Sequence, residues 1–236
     1  MQHVALPDAI EEIGAGAFSG CNRLWTIELP AGLKRIGINA FESCFWLEEL
    51  TLPDGVEEIG AGAFWGCQSL KKVTLSRDLK SIGTSAFALA YNLESIALPE
   101  ENKAFTVVDG VFYTSDMKDL VLYPFYLADE TLTVPDGVET LSPGALQLNR
   151  ALKEVVLPDT LQTIGELAFL GMPNLEKLVV PPSVTDFTNT GLPTSSALTI
   201  YGDAGSAAGR FEVSDMEVTR PGKTYTVDTL QASGWG

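Results

Sequence analysis

The amino-acid sequence predicts an α/β, β-rich solenoid built from coils of 23 residues. Prolines recur at this interval, apolar residues recur in phase with them, and each copy ends in a short alternating segment typical of a β-strand. The chain has 236 residues, of which 45% are apolar. That is enough for a sizeable core, so wholesale disorder is excluded.

The prolines set the period. Pro7, Pro30 and Pro53 are 23 residues apart, and the same phase is kept by Ser76, Pro99, Pro135, Pro158 and Pro181. The gap from Pro99 to Pro135 is 36 residues, which is one period plus an insertion of 13. Because a single coil cannot bury its apolar face, the coils are expected to stack, and each recurring apolar position becomes an interior ladder. The clearest ladder is Phe18, Phe41, Phe64, Phe87 and Phe169.

Each coil is predicted to contain the same elements in the same order. Proline closes the preceding strand because it lacks an N–H group, and the residues after it, such as Asp54-Gly55, begin a turn. An in-phase glycine, for example Gly60, marks a backbone position that is tight or has positive φ. The Ala-Phe-x-x-Cys segment predicts a single helical or 3-10 turn. The closing Leu-x-x-Ile-x-Leu segment predicts a strand of a parallel sheet.

Residues 100–134 interrupt the repeat. Phe105–Val108 and Val111–Tyr113 flank Asp109-Gly110, a pattern that predicts a β-hairpin, and residues 120–123 offer a third strand. Two interpretations stay open: a decorated coil that keeps stacking, or a protruding contact element. The aromatic residues of such an element would be Tyr113, Tyr123, Phe125 and Tyr126.

The solenoid is expected over residues 1–200, with a C-terminal cap and tail over residues 201–236, because the repeat decays after Pro181. No cap precedes the first coil. The sequence therefore predicts an apolar N-terminal edge that further coils, another domain or an end-to-end oligomer would cover.

Composition excludes several function classes. The chain carries 15 Lys+Arg and 31 Asp+Glu, a net charge of −16, without a basic run, which argues against nucleic acid and anionic membranes as partners. No apolar run approaches the roughly 20 residues of a membrane span. The single histidine, His3, excludes His-based triads and His–Cys zinc sites. No catalytic residue, metal site or cofactor is predicted, and an enzyme is disfavoured.

Cysteines and charges also follow the period. Cys21, Cys44 and Cys67 share one phase and are interpreted as a buried row of small side chains. Two neighbours could approach within disulfide range, but three is an odd number and no histidine joins them. Oppositely charged residues alternate between copies, as in Glu48 and Lys71, and are expected to fix register rather than to catalyse.

The full repeat, Leu-Pro-x-x-Ile-x-x-Ile-Gly-x-x-Ala-Phe-x-x-Cys-x-x-Leu-x-x-Ile-x-Leu-Pro, resembles the BspA-type leucine-rich repeat. The best copies are residues 6–30, 29–53 and 52–76, and the resemblance covers residues 5–200. It implies a leucine-rich-repeat horseshoe in a bacterial protein that is secreted or displayed at the cell surface. It further implies adhesion to host proteins.

Three sets of residues are candidates for protein binding. The first set consists of aromatic residues at phases that other copies fill largely with polar, charged or small residues: Trp25, Phe45, Trp46, Trp65 and Tyr91. The second consists of outward-facing strand positions: Thr26, Glu28, Glu49, Thr51, Lys72 and Thr74, continued in later coils by Ser95, Ala97, Glu154, Val156, Lys177 and Val179. The third consists of Tyr113, Tyr123 and Tyr126 in the insertion.

Two function hypotheses follow. The first is a non-catalytic module that binds a protein or peptide on a broad rigid surface, with a host extracellular protein as the partner that the resemblance implies. The second is a structural spacer that presents another domain of a larger surface protein and has no ligand of its own.

Overall fold

The computed structural model describes residues 2–186, 189–193 and 198–202, and the backbone of two strands at 212–220 and 223–231. The chain divides into two compact units, residues 1–115 and 116–236. In each unit the strands of successive coils pair in parallel, most of them in a register of one 23-residue period. The prediction of a solenoid with parallel sheets is confirmed.

The first unit contains two ladders of short strands. One ladder consists of β1 (Gln2–Ala5), β3 (Leu24–Glu28), β5 (Glu49–Thr51), β7 (Lys72–Thr74) and β9 (Ser95–Ala97), with the strand pairing interrupted between β3 and β5. The other consists of β2 (Glu12–Ile13), β4 (Arg35–Ile36), β6 (Glu58–Ile59) and β8 (Ser81–Ile82). In the first ladder Leu50 pairs with Val73, and Val73 with Ile96. These three side chains are buried, so the apolar residues of every coil point to the same interior.

The Ala-Phe segment on the third side of each coil is not helical, so the predicted helical or 3-10 turn is wrong. In the first coil the N–H of Ala17 donates to Gly14 O and the N–H of Cys21 donates to Phe18 O, which closes two turns. Gly16 and Gly20 have φ of 64° and 71°, as the third residue of a type II turn requires. The segment forms turns rather than a helix because its N–H groups make hydrogen bonds between coils.

Alternate N–H groups of this segment leave the coil. The N–H of Phe18 donates to Ala40 O in the next coil at 2.7 Å, and that of Phe41 donates to Ala63 O at 2.7 Å. A helix would consume these N–H groups internally, whereas the turns leave them free to bind the neighbouring coil. The stack thus gains a hydrogen-bonded ladder on a third side.

The glycine row just before these turns is a place of close backbone contact. A Cβ at Gly60 would lie 2.6 Å from the carbonyl carbon of Gly37, and one at Gly83 would lie 2.3 Å from the nitrogen of Ala61. Real Cβ atoms essentially never show such distances, so only glycine fits. Of the two predicted reasons for this row, tightness is the correct one.

Aromatic rings form the centre of the first unit. Phe18 and Phe41 stack with ring centroids 5.0 Å apart, and the next two spacings, to Phe64 and then Phe87, are 5.3 and 5.4 Å. Neighbouring rings are within 5° of parallel. This ladder gives a direct measure of the distance between successive coils.

The insertion forms the predicted hairpin. β10 (Phe105–Val108) pairs antiparallel with β11 (Val111–Thr114). Asp109 and Gly110 have φ of 51° and 80°, and positive φ at both central residues defines a type I′ turn. In the second unit, β12 (Asp119–Leu122) is the predicted third strand, and it pairs in parallel with β14 (Thr140–Leu141).

The second unit also has two ladders. β14 pairs with β16 (Thr163–Ile164), and a second ladder runs through β13 (Thr131–Thr133), β15 (Glu154–Val156), β17 (Lys177–Val179) and β18 (Thr199–Gly202). Two antiparallel strands, β19 (Glu212–Arg220) and β20 (Lys223–Gln231), follow, with β20 against β18. Of the predicted C-terminal cap, residues 203–211 lie outside the described residues.

Candidate functional site

Titratable groups do not gather into a reactive centre in the part of the chain that the structure describes. No three His, Cys, Asp or Glu side chains there could together hold a metal ion. His3 lies at the surface, with Nδ1 2.9 Å from Thr26 Oγ1 and Nε2 3.6 Å from Glu28 Oε1. Likewise, the described residues include no helix of the length and apolar character that crossing a membrane requires.

The three cysteines form no disulfide. Cys44 and Cys67 are buried, and their Sγ atoms lie 3.2 Å from the carbonyl oxygens of Phe18 and Phe41, to which the thiols donate. Burial raises the pKa of the Cys44 thiol to about 12 and raises that of Cys67 as well, so neither is a thiolate at neutral pH. The buried-row interpretation is wrong for Cys21, which is exposed.

The predicted charge ladders are confirmed. Carboxylates and cations of successive coils form ion pairs, as in Glu57 with Lys80 at 2.7 Å, where the hydrogen bond lowers the pKa of the carboxyl and raises that of the ammonium. Further pairs among the described residues are Glu12–Arg35, Glu48–Lys71, Asp54–Arg77, Glu130–Lys153, Glu154–Lys177 and Lys118–Glu139. Because the two members of each pair belong to successive coils, the pairs are suited to holding the coils in register.

Two of the three tyrosines that the sequence assigns to a contact element in the insertion are buried. Tyr113 and Tyr123 are each only 2% exposed, so their assignment to a binding surface is wrong. Burial raises the pKa of Tyr113 to about 12, and the Tyr123 hydroxyl donates to Asp129 Oδ2 at 3.2 Å. Phe125 and Tyr126 are half-buried and meet edge to face at 6.3 Å.

The outward-facing strand positions differ between the units. In the first unit all of them are exposed: Thr26, Glu28, Glu49, Thr51, Lys72, Thr74, Ser95 and Ala97. In the second unit Val156 and Val179 are buried in a cluster with Tyr201, and the prediction that these two valines are exposed is wrong. Lys177 lies with Nζ 5.4 Å from the centre of the Tyr201 ring and is itself half-buried.

The aromatic residues of the first unit provide the most distinctive surface feature. Trp25 and Trp46 stack with ring centroids 5.2 Å apart and planes within 4° of parallel. Trp46, Phe45 and Tyr91 are 48%, 37% and 54% exposed, although each is a large apolar side chain. Trp25 and Trp65 are half-buried, and Trp65 lies apart from the pair in sequence phase, on the turn side of its coil.

Phe45, Trp46 and Tyr91 belong to two adjacent rows, which we call the aromatic strip; Trp25 and Trp65 lie outside these rows. Its members are Asn22, Arg23, Phe45, Trp46, Gln68, Ser69, Tyr91 and Asn92, two from each of the first four coils. Ser69 is half-buried and the other seven are exposed. Aromatic and amide side chains alternate along the first row. The sequence analysis identified the aromatic members but missed the amides. Asn22 and Gln68 could have been found from the sequence, because they share one repeat position with Phe45 and Tyr91.

The sequence matches the model of the BspA type leucine-rich repeat region, with six copies, over residues 1–119 and 124–199. No curated protein matches this chain. The match to the repeat model covers well over half of the chain, including all of the aromatic strip.

Solved structures of bacterial leucine-rich repeat proteins have a similar fold. A leucine-rich cell surface protein from Faecalibacterium prausnitzii is 22% identical with a TM-score of 0.60, over 84% of this chain and 65% of that one. The pneumococcal vaccine antigen PcpA is 20% identical with a TM-score of 0.56, over 85% and 73%. A leucine-rich repeat protein from Eubacterium ventriosum is 20% identical with a TM-score of 0.55, over 78% and 61%. This chain thus spans less than two thirds of the first and third of these proteins.

Proposed function

Because the chain belongs to the BspA-type leucine-rich repeat family, we propose that it is a non-catalytic protein-interaction module of a bacterial protein that is secreted or displayed at the cell surface. A host extracellular protein is the proposed partner. The similarity to a cell surface protein supports the location. Stacked coils support the binding role, because they provide a broad and rigid surface.

The observation that carries the proposal is the exposed tryptophan of the aromatic strip. Trp46 leaves 48% of its surface in solvent while it stacks on Trp25. Contiguous exposed apolar patches mark interaction sites, and tryptophans are enriched among the residues that dominate binding energy. The polar strand positions from Thr26 to Thr74 are proposed as a second, weaker contact face, and half-buried Trp65 and Tyr126 as marginal contacts.

A non-catalytic role is supported by the state of the reactive groups. Cys44 and Cys67 are buried with raised pKa values, and the carboxylates of Glu12, Glu57 and Glu154 are paired with arginine or lysine. A nucleophile would need a neighbouring base to activate it. None of these thiols has a histidine near it in sequence phase.

The test measures binding of the immobilised chain to a panel of purified host extracellular proteins by interferometry. We expect at least one partner, and a loss of affinity of tenfold or more in Trp46→Ala. Ile38→Ala is the matched control, because Ile38 is 57% exposed in the same unit but lies outside the strip. Equal affinity of wild type, Trp46→Ala and Trp65→Ala for every partner would contradict the strip as the contact surface.

The alternative function, a structural spacer that presents another domain, is supported by the stiffness of the stack. Tight glycine contacts and ion pairs between coils recur through the repeats. No binding to any protein of the panel, together with adhesion that depends only on a neighbouring domain of the full protein, would favour the spacer.

A further inference from the structure

Cys21 and Cys44 occupy equivalent positions of the first two coils, 23 residues apart. Phe18 and Phe41, three residues before them, stack with ring centroids 5.0 Å apart, which measures the distance between these coils. The Cα atoms of a disulfide are about 4.4–6.8 Å apart. One coil spacing therefore brings the two cysteine backbones within the range that a disulfide spans.

The thiol of Cys44 is directed toward the first coil. Its Sγ atom lies 3.2 Å from Phe18 O, and the N–H of Cys21 donates to the same oxygen at 3.1 Å. One residue before Cys21, the N–H of Gly20 donates to Glu42 O at 2.7 Å, which ties the two backbones together beside the cysteines. The Cys44 sulfur and the Cys21 backbone thus meet at one carbonyl group.

Exposure separates Cys21 from the other two cysteines. Cys21 is exposed, so a dissolved oxidant can reach its sulfur, whereas Cys44 and Cys67 are fully buried. The Cys67 thiol donates to Phe41 O at 3.2 Å, so it is directed toward the second coil in the same way. A Cys44–Cys67 bond would nevertheless have to begin at a buried sulfur. Of the two neighbouring pairs, Cys21–Cys44 is the one with an accessible thiol to start the reaction.

We propose that Cys21 and Cys44 form a disulfide bond when the chain meets a disulfide-containing oxidant, and that Cys67 stays a free thiol. The inference rests on the proposed function for the location alone, because secreted and surface proteins meet oxidising conditions. The bond joins the first coil covalently to the second and stabilises the stack there. The odd number of cysteines is then one bonded pair and one buried thiol.

The reaction consists of two exchange steps. The Cys21 thiolate attacks one sulfur of the oxidant, the S–S bond of the oxidant breaks, and the other half leaves as a thiolate that takes up a proton. Cys44 then loses its proton and attacks the Cys21 sulfur, which releases the second half in the same way. The two cysteines lose two electrons and two protons, and the oxidant becomes two thiols. Because burial raises the pKa of the Cys44 thiol to about 12, the second step is the slower one and its rate rises with pH.

The test incubates the intact, reduced chain with oxidised glutathione in mildly alkaline buffer. The chain is then unfolded in guanidinium with an alkylating agent, and mass spectrometry counts the alkylated cysteines. We expect the number of free thiols to fall from three to one without bound glutathione, and peptide mapping to find residues 21 and 44 linked. A count that stays at three, a Cys44–Cys67 link, or glutathione that remains on Cys21 would each overturn the proposal.

Alanine variants separate the two pairs. Ala90 is the fully buried residue at this position of the fourth coil, so alanine is compatible with the row. We expect Cys67→Ala to lose both of its thiols to the bond, and Cys44→Ala to keep one glutathione on Cys21. Cys21→Ala should retain both thiols, and their loss there would show that the buried pair reacts and would overturn the selection. Thermal unfolding of each reduced variant shows that it is folded before oxidation.

The Tm of the oxidised chain shows whether the bond fits the native stack. Closing a loop of one coil should raise the Tm by about 5 °C over that of the reduced chain. Cys67→Ala should show the same rise, and Cys44→Ala with its bound glutathione should not. A lower Tm in the oxidised wild type would mean that the bond distorts the two coils, and would overturn a native disulfide.

The failure of this inference is distinguishable from failure of the proposed function. If the thiol count stays at three while a host protein still loses affinity in Trp46→Ala, the disulfide falls and the interaction function stands. If the disulfide forms but Trp46→Ala leaves all binding of host proteins unchanged, the proposed contact surface falls and the disulfide stands.

Discussion

The interiors of the two units are built from the same apolar rows, but the outer faces of their sheets differ. At equivalent positions the first unit has Thr51 and Thr74, both exposed, whereas the second has Val156 and Val179, which are 9% and 5% exposed. The buried ladders of both units remain apolar. The repeat therefore constrains the inner rows of every coil and leaves the outer rows open to change. In the first unit the outer positions are exposed throughout, while in the second Val156 and Val179 are buried with Tyr201 and only Thr131 and Thr133 of β13 stay exposed.

The largest effect is expected where the units are alike. Gly83→Ala in the first unit and Gly165→Ala in the second would each place a Cβ within 2.5 Å of the preceding coil's backbone. We expect each change to lower the free energy of unfolding by about 3 kcal/mol or more. Gly14→Ala is the control, since no atom lies within 4 Å of its added Cβ. Urea denaturation measures all three, and a loss below about 1 kcal/mol at Gly83 would show that the coils can separate there.

The next effect tests the difference itself. Val179→Ala is expected to lower the free energy of unfolding by about 2 kcal/mol, because the side chain is buried against Val156 and Tyr201. Thr74→Ala at the equivalent exposed position should change it by at most about 0.5 kcal/mol. Equal effects in urea denaturation would mean that the two outer faces are not energetically distinct.

A smaller effect concerns backbone strain in the second unit. Leu167 has φ of 57° and is 41% exposed, where the first unit has Gly16 and Gly62 at the equivalent positions. Leu167→Gly should raise the free energy of unfolding by about 0.5–1 kcal/mol, because a leucine in the left-handed region is strained by about 1–2 kcal/mol and glycine is not. Differential scanning calorimetry gives the shift in Tm. A lower Tm would show that the packing of the leucine outweighs its strain.

The smallest effect is in the ion pairs. Glu154 and Lys177 in the second unit are 30–31% exposed and 2.7 Å apart, whereas Glu48 and Lys71 in the first are 43–48% exposed and 3.7 Å apart. Double-mutant cycles should give a coupling of about 0.5–1 kcal/mol for the first pair and about 0.2 kcal/mol for the second. The coupling of the more exposed pair should vanish in 1 M salt. A larger coupling for the exposed pair would contradict the order.

The sequence predicts best what the period determines. The stacked rows, the parallel strands and the ion pairs between coils all follow from residues that recur every 23 positions, and the Asp109-Gly110 turn follows from local chemistry. The turn side was predicted as helical because the Ala-Phe segment is short and apolar. The overlooked signal is the recurrence of glycine, asparagine and serine at two further positions of the repeat. Gly16, Asn39, Gly62 and Ser85 share the first of these positions, and all four have positive φ.

Burial that depends on distant parts of the chain could not be predicted in this way. Tyr113 and Tyr123 lie in the insertion, where no repeat indicates which side is covered. Val156 and Val179 alternate outward from their strands like the exposed threonines, and their burial depends on residues outside that pattern. For the candidate site, the sequence identified the aromatic members of the strip but gave no measure of their exposure, which separates Trp46 from Trp65.

The hydrogen bonds on the turn side have one more consequence, for assembly. Phe18, Phe41 and Phe64 all donate their N–H toward the following coil, so on this side one end of a stack offers acceptors and the other end offers donors. Like ends would set carbonyl against carbonyl or N–H against N–H. Any extension of the stack through these bonds must therefore join unlike ends, a heterologous polarity that produces rings or open filaments rather than twofold dimers.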